Sequence, residues 1–284
     1  MKKQYENIMS DFEDFLRNHN TNIMESFHPH FKEAFWEMVI NGGKRFRPNL
    51  LFSVVLAKKP KKIKDTFIVA LALESLHTYS LIHDDLPAMD NSPLRRGHQT
   101  LHIKYNETSA ILAGDALNTY AFYLIGKSHF KNKIKVKLNN SLSFGALKMV
   151  LGQACDCYFE NTILQKDKLD FIHINKTANL IASALEMGGI IAELPKKEIS
   201  SLYKFGITLG LYFQIRDDLL DTLENEKDIG KPTHNDTNKN SYVNLLGLEN
   251  AKKAKEDLKN IIMERLAKID KKISKNLEIL LQAY

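Results

Sequence analysis

FIVALALESLHTYSLIHDDLPAMD, residues 67–90, is an apolar run with helical spacing that closes on three aspartates. His77 and Asp84 are seven residues apart, so a helix places them on one face, two turns distant. Asp90 lies six residues past Asp84. In a straight helix it would point about 120° away. Pro87 changes that reading, because it cannot donate to the carbonyl of His83 and its ring clashes there. The helix must break or loop near 84–87. A looped spacer then brings Asp90 back toward Asp84, and both can reach the same ions.

A second acidic run, FQIRDDLLD at 213–221, also ends an apolar helical stretch. Gln214, Asp217 and Asp221 are spaced three and four apart and share one helix face, with Asp218 to the side. Six carboxylates facing each other in a partly desolvated cleft would repel strongly. A shared divalent cluster removes that cost, because hard cations take oxygen ligands and stay bound through phosphates. The expected site is therefore magnesium-dependent, lies between helices and takes a phosphorylated substrate. Basic residues complete it. NGGKRFRPNL (41–50) places Lys44, Arg45 and Arg47 between a Gly-Gly turn and a helix-opening proline, an arrangement that suits phosphate. LRRG (94–97) places Arg95 and Arg96 just beyond Asp90, and Lys176, Thr177, Lys231 and Lys239 are further candidates.

The rest of the chain sets bounds. Its 284 residues are 44% hydrophobic and 26% charged, enough for a sizeable core. The formal charge of +6 suits an anionic substrate without demanding nucleic acid. Residues 94–194 hold no proline, and apolar residues recur there at helical spacing. No alternating strand run is evident. Helices are expected near 3–19, 30–40, 48–57, 65–84, 108–127, 137–160, 168–193, 196–223 and 247–282, in one domain. Residues 127–137 read as a solvated lysine-rich loop, 224–241 as a mobile lid beside the second acidic cluster, and 251–275 as a packed outer helix. No apolar run is long enough for stable membrane insertion, and the N-terminus has no secretory pattern. Two cysteines, Cys155 and Cys157, exclude a disulfide framework and fit a cytoplasmic setting.

In order and spacing, the motifs resemble those of the trans-isoprenyl diphosphate synthases, in particular the bacterial short-chain type that makes farnesyl diphosphate. They are GGKRFRP at 42–48, LHTYSLIHDDLPAMD at 76–90, LRRG at 94–97, LAGDAL at 112–117, GQACD at 152–156, HINKTANLI at 173–181, FQIRDDLLD at 213–221, GK at 230–231 and SYVNLLGLE at 241–249. The resemblance implies an all-α, single-domain helical bundle of the isoprenoid synthase type, spanning 1–284, with a central apolar active-site cavity. It implies condensation of dimethylallyl or geranyl diphosphate with isopentenyl diphosphate, several Mg2+ ions and a homodimer. Asp84, Asp90 and Asp217 would hold the metals, with Asp85 and Asp221 in support, and Asp218 belongs to the same catalytic motif. Arg95, Lys176, Thr177, Gln214, Lys231 and Lys239 would grip the allylic diphosphate. Lys44, Arg47, His77 and Arg96 would form a metal-free pocket for isopentenyl diphosphate. Tyr79, five positions before Asp84, would be the floor that stops chain elongation.

The chain departs from the family pattern at three places. Asn91-Ser92-Pro93 stands where acids are common, Ala178 where glycine is frequent, and the stretch between Asp236 and Lys239 is shorter. The nearest rival is a geranylgeranyl diphosphate synthase. A class I terpene cyclase would lack the second diphosphate pocket. A catalytically dead regulatory subunit would have lost part of an aspartate motif, and here both are whole.

Overall fold

The computed structural model of this chain describes residues 2–160, 162–227 and 240–282. It comprises two compact units, Met1–Asn140 with Asn276–Tyr284, and Ser141–Lys275. Both are helical.

The first unit contains α1 (Lys2–Arg17), α2 (Phe31–Ile40), α3 (Phe46–Lys58), α4 (Ile63–Asp84), the short strands β1 (Leu94–Arg95) and β2 (His98–Gln99), α5 (Leu101–Lys104), α6 (Glu107–Lys127) and the start of α7 (Asn132–Tyr158). α1 buries Tyr5, Ile8, Phe12 and Leu16, the stripe its three-and-four spacing predicts. Phe12 meets Phe52 of α3 and Phe67 of α4 at centroid distances of 5.4 and 5.5 Å. α4 is buried on nearly all sides, as its near-continuous apolar run requires. α6 packs on α4 and buries Ala110, Ala113, Gly114, Leu117 and Ala121. A Cβ on Gly114 would sit 2.2 Å from Nε2 of His83, so only glycine admits that histidine. Asn106 caps α6 by accepting from the Ser109 N–H at 2.7 Å.

The second unit contains the rest of α7, α8 (Lys166–His173), a π-helical turn (Ile174–Ala178), α9 (Asn179–Ile191), α10 (Lys196–Lys227), α11 (Tyr242–Leu246), α12 (Leu248–Ala267) and the start of α13 (Lys271–Leu281), whose later turns belong to the first unit. α9 is apolar and almost wholly buried. α10 crosses it on two glycines one turn apart. A Cβ on Gly206 would lie 2.5 Å from Ala182 Cα, and one on Gly210 would lie 2.4 Å from Ala178 Cα. Ala178, where glycine is frequent, is thus accommodated by the missing side chain at Gly210.

The helical reading holds, with four local corrections. A two-residue hairpin occupies 94–99. Its turn residues Arg96 and Gly97 both have positive φ, 54° and 79°, as a tight hairpin requires. Lysine-rich residues 132–137 are the first turns of α7 rather than loop, because Leu138 and Leu142 are buried behind them and lysine is a good helix former. The long C-terminal helix is broken at 268–270, where the Asp270 carboxylate accepts from the Lys272 N–H at 3.0 Å and caps α13. α10 continues to Lys227, past the expected end, while 228–239 with Lys231 and Lys239 lies outside the described residues. No described helix is long and apolar enough to cross a membrane.

Gly210→Val should lower the free energy of unfolding by about 1–3 kcal/mol, because the added carbons meet backbone that cannot swing away. Chemical denaturation checks this. A midpoint equal to wild type would mean that the crossing relaxes freely.

Candidate active site

The first acidic motif is a helix end folded back on itself. Asp84 is the last residue of α4 and Asp85 its cap. The loop returns as Pro87 demands. The Asp90 N–H donates to the Asp84 carbonyl at 2.9 Å, and the Ser92 N–H to the Asp85 carbonyl at 3.1 Å. Thr100 fastens the far end, its hydroxyl donating to the Ser92 carbonyl at 2.8 Å. Asp84 is half-buried and Asp90 exposed. Asp85 is buried, and Oδ1 accepts from Nε of Arg95 at 2.8 Å and from Nη2 as well. Oδ2 of Asp85 is buried with no hydrogen-bond partner among the described residues. Burial raises the Asp85 carboxyl pKa, while Arg95 opposes the rise.

The hairpin sends its two arginines to different partners. Arg95 goes to Asp85, and Nη1 of Arg96 donates to the Gly42 carbonyl at 2.7 Å. The Arg96 guanidinium fills the space a Cβ on Gly43 would need. GGKRFRP also divides its cations. Arg45 is a brace: its guanidinium reaches Glu13 at 2.8 Å, Glu74 at 3.0 Å and the Val39 carbonyl at 2.8 Å. Those bonds occupy both carboxylates. Among the described residues Arg47 makes no ion pair, and its Nε is buried without a partner. Desolvation and Arg96 push the Arg47 pKa down to about 10. Arg96 is lowered by burial and by Arg45 and Arg95, against the pull of Glu74. His77 is held well below its ordinary value by burial and by Arg47, Arg96, Arg95 and Arg45, and its Nδ1 has no partner. This cluster carries surplus positive charge that a bound anion would neutralise. Lys44 is exposed beside it in sequence.

Tyr79 is buried, with its ring edge-on to His83 at 5.4 Å. His83 is fixed in turn by the Ile111 carbonyl at 3.0 Å from Nε2.

In the second unit, the π turn carries Lys176 and Thr177. Lys176 Nζ pairs with Asp156 of α7 at 2.6 Å. The Thr177 hydroxyl donates to Gln214 Oε1 at 3.1 Å, and Gln214 Nε2 donates to Asp218 Oδ1 at 3.1 Å. Gln214 thus sides with Asp218, not with Asp217 and Asp221 as its spacing suggested. Asp218 also accepts from the Tyr242 N–H at 2.8 Å. Burial, reinforced by Asp221 and Asp217, raises Asp218 to about 6 against those two hydrogen bonds. Asp217 and Asp221 are exposed one turn apart, and Asp217 pairs with Arg216 at 2.9 Å. Because α10 runs on to Lys227, these acids lie within the helix and not at its carbonyl end.

Sequence reasoning missed Asp156, the partner of Lys176, and Tyr242, which joins three groups. Its N–H holds Asp218, its hydroxyl binds Asp170, and its ring stacks on His173 at 5.2 Å. Both lie in motifs already noted, GQACD and SYVNLLGLE. The donor set suits a hard divalent cation, since the carboxylates offer only oxygen and Asp85 Oδ2 is unpartnered. Among the described residues no three His, Cys, Asp or Glu side chains form a metal cage unaided. An ion there would draw on ligand oxygens as well.

The profile of the polyprenyl synthetase family matches residues 28–280. A farnesyl diphosphate synthase of Micrococcus luteus is 43% identical over 251 residues, covering 86% of each chain. A geranylgeranyl pyrophosphate synthase of Capsicum annuum is 36% identical, covering 85% of this chain and 68% of that one. The crystal structure of a Helicobacter pylori geranyltransferase complexed with magnesium and isoprenyl diphosphate superposes with a TM-score of 0.91 at 46% identity, covering 99% of this chain and 96% of that one.

Arg45→Ala should destabilise the protein by about 3–5 kcal/mol, because it strands Glu74, whose side chain is 2% exposed. Arg47→Ala should cost well under half of that, since it breaks no ion pair among the described residues and removes a charge that burial already disfavours. Urea denaturation of both variants tests the distinction. Equal losses would make Arg47 a second brace.

Proposed function

The chain belongs to the polyprenyl synthetase family, and on that premise we propose that it is a prenyltransferase forming farnesyl diphosphate from isopentenyl diphosphate and dimethylallyl or geranyl diphosphate. The observation that carries the two-substrate reading is the cluster of the cations Arg47 and Arg96 with the imidazole of His77. It is an anion pocket without a metal-ligating acid among its members, separate in kind from the aspartate motifs. A cyclase, which handles one diphosphate, has no use for it.

The roles derive from the chemistry of each group. Asp84, Asp90 and Asp217 are the magnesium ligands we assign, with Asp85 and Asp221 in support, and several ions are expected. Magnesium held there supplies Lewis acidity that stabilises charge on a leaving diphosphate. Asp218 serves the motif by anchoring it to Tyr242 and Gln214. Arg95, Lys176 and Gln214, with Thr177 beside them, bind the allylic diphosphate, and Lys231 and Lys239 are assigned to it by sequence alone. They hold its oxygens as the allylic C–O bond breaks and the electron pair leaves with the diphosphate. Lys44, Arg47, His77 and Arg96 orient isopentenyl diphosphate so that its double bond attacks the allylic carbon. The proton then lost goes to the departing diphosphate, since no protein base is evident. The hydrocarbon is expected to grow into an apolar cavity floored by Tyr79.

A homodimer is part of the proposal. In the first unit α6 exposes Ile111, Leu112 and Tyr123, and in the second α7 exposes Phe144, Leu147, Val150 and Leu151 at helical spacing. Such apolar stripes suit a self-complementary interface. Cys155 and Cys157, neither of them in a disulfide, fit a reducing, cytoplasmic compartment.

Incubation with labelled isopentenyl diphosphate and geranyl diphosphate, then chromatography of the dephosphorylated products, should give a fifteen-carbon alcohol. Excess chelator should abolish it, and magnesium should restore it. Asp84→Ala and Asp217→Ala should each lower turnover at least about a thousandfold while remaining folded. Full turnover in chelator, or in either folded variant, would overturn the site assignment.

Tyr79→Ala should shift the product from fifteen carbons toward twenty or more, read on the same chromatogram. An unchanged length from a folded variant would leave Tyr79 as a core residue packed on His83.

A further inference from the structure

The π turn at Ile174–Ala178 is the least expected backbone feature of the second unit. A π turn inserts one residue into a helix and is uncommon unless something holds it. The extra residue rotates the helix on its N-terminal side by about 100° relative to the helix on its C-terminal side. Lys176 and Thr177 sit inside the turn, so the direction of both side chains depends on whether it persists.

A set of side-chain amides holds it. Asn179 is buried. Its backbone N–H donates to the Ile174 carbonyl five residues back, and its Nδ2 donates to the same carbonyl at 2.9 Å. Nδ2 also approaches Asn175 Oδ1 at 3.3 Å, and Asn175 Nδ2 donates to the Phe171 carbonyl at 2.7 Å. The Oδ1 of Asn179 accepts from the Tyr203 hydroxyl of α10 at 2.5 Å. A straight α-helix would offer the Ile174 carbonyl to residue 178 instead. Neighbouring backbones are shaped to the turn as well. A Cβ on Gly152 would lie 2.1 Å from the Lys176 nitrogen, and one on Gly210 would come similarly close to Ala178. These hydrogen bonds of Asn179 run to Ile174, Asn175 and Tyr203, none of which is assigned to substrate.

We propose that Asn179, held by Tyr203, is a positioning residue for the reaction, locking the π turn so that Lys176 and Thr177 present to the allylic diphosphate. The assignment rests on the functional reading above, because it takes those two residues as allylic contacts. Without the lock the turn slips to α-helical register and carries both side chains out of place. A misplacement on the order of 1 Å is enough to cost about a hundredfold. The second substrate is bound by residues of the first unit and should be indifferent.

The test compares Asn179→Ala with Ser183→Ala, one turn further along α9. Ser183 also makes a buried hydrogen bond, to the Ser141 carbonyl at 3.1 Å, but does not touch the turn. Asn179→Ala should raise KM for geranyl diphosphate by about ten- to a hundredfold and leave KM for isopentenyl diphosphate within about twofold. Hydrogen exchange at amides 174–179 should speed up by about tenfold or more. Ser183→Ala should change neither. Tyr203→Phe removes a single oxygen and should shift both readouts in the same direction by less, so it carries the test where Asn179→Ala does not fold. If Asn179→Ala matches Ser183→Ala in both readouts, or raises both KM values equally, Asn179 is merely structural. A wild-type protein that forms no prenyl diphosphate would overturn the functional reading. Exchange at 174–179 would still decide whether Asn179 holds the turn.

Discussion

Arg45 is the ion on which the charge arrangement of the first unit depends. Its guanidinium is almost wholly buried and is held by Glu13 from α1, Glu74 from α4 and the carbonyl of Val39 at the end of α2. One residue therefore ties three helices to the start of α3. A buried pair of this kind adds little net stability, because desolvation offsets attraction, but it tolerates only one geometry. It also has an electrostatic consequence. With Glu13 and Glu74 committed to Arg45, the neighbouring Arg47, Arg96 and His77 share a desolvated region and, among the described residues, make no ion pair of their own. All three are pushed toward their neutral forms. A bound anion would reverse that push, so the brace and the unbalanced charge beside it are two results of one placement.

The second unit orients its polar groups by backbone proximity more than by ion pairs. Gly206 and Gly210 let α10 lie against Ala182 and Ala178, and Gly152 lets α7 lie against Lys176. Contacts that close fix the helices in rotation as well as distance. From there a chain of hydrogen bonds runs from Thr177 through Gln214 and Asp218 to the Tyr242 N–H. Asp218 is consumed by that chain. Its neighbours Asp217 and Asp221 keep exposed carboxylates. Adjacent acids in one motif thus have different jobs because their helix presents them to different surroundings.

In the proposed reaction the two kinds of site would handle anions in complementary ways. The arginine–histidine cluster offers charge directly, which suits a diphosphate that must stay intact. The aspartates can engage a diphosphate only through cations, which suits the one whose bond must break, because the leaving group then departs onto an electrophile. That asymmetry is what a condensation of two diphosphates needs.

Much of this was legible in the chain itself. Proline placement and apolar spacing gave the helices, and Pro87 gave the fold-back that bonds Asp90 to Asp84, because both are local consequences of backbone sterics. The acidic and basic motifs were legible as chemistry, because metal and phosphate binding depend on residue type. Local signals also explain some misses: Asp270 was a readable cap, and Arg96-Gly97 a readable hairpin turn. What tertiary structure alone decided was the division of labour among like residues. Arg45 and Arg47 are two positions apart in one motif, yet one is a brace and the other, among the described residues, makes no ion pair, because Glu13 and Glu74 arrive from distant helices and meet Arg45. Asp218 is an anchor because Tyr242 reaches it from beyond the second motif. The π turn under Lys176 exists because Asn179, Tyr203 and two glycines from other helices close on it. Spacing along a chain sets which face a side chain takes, but its partners are set by which other elements pack there.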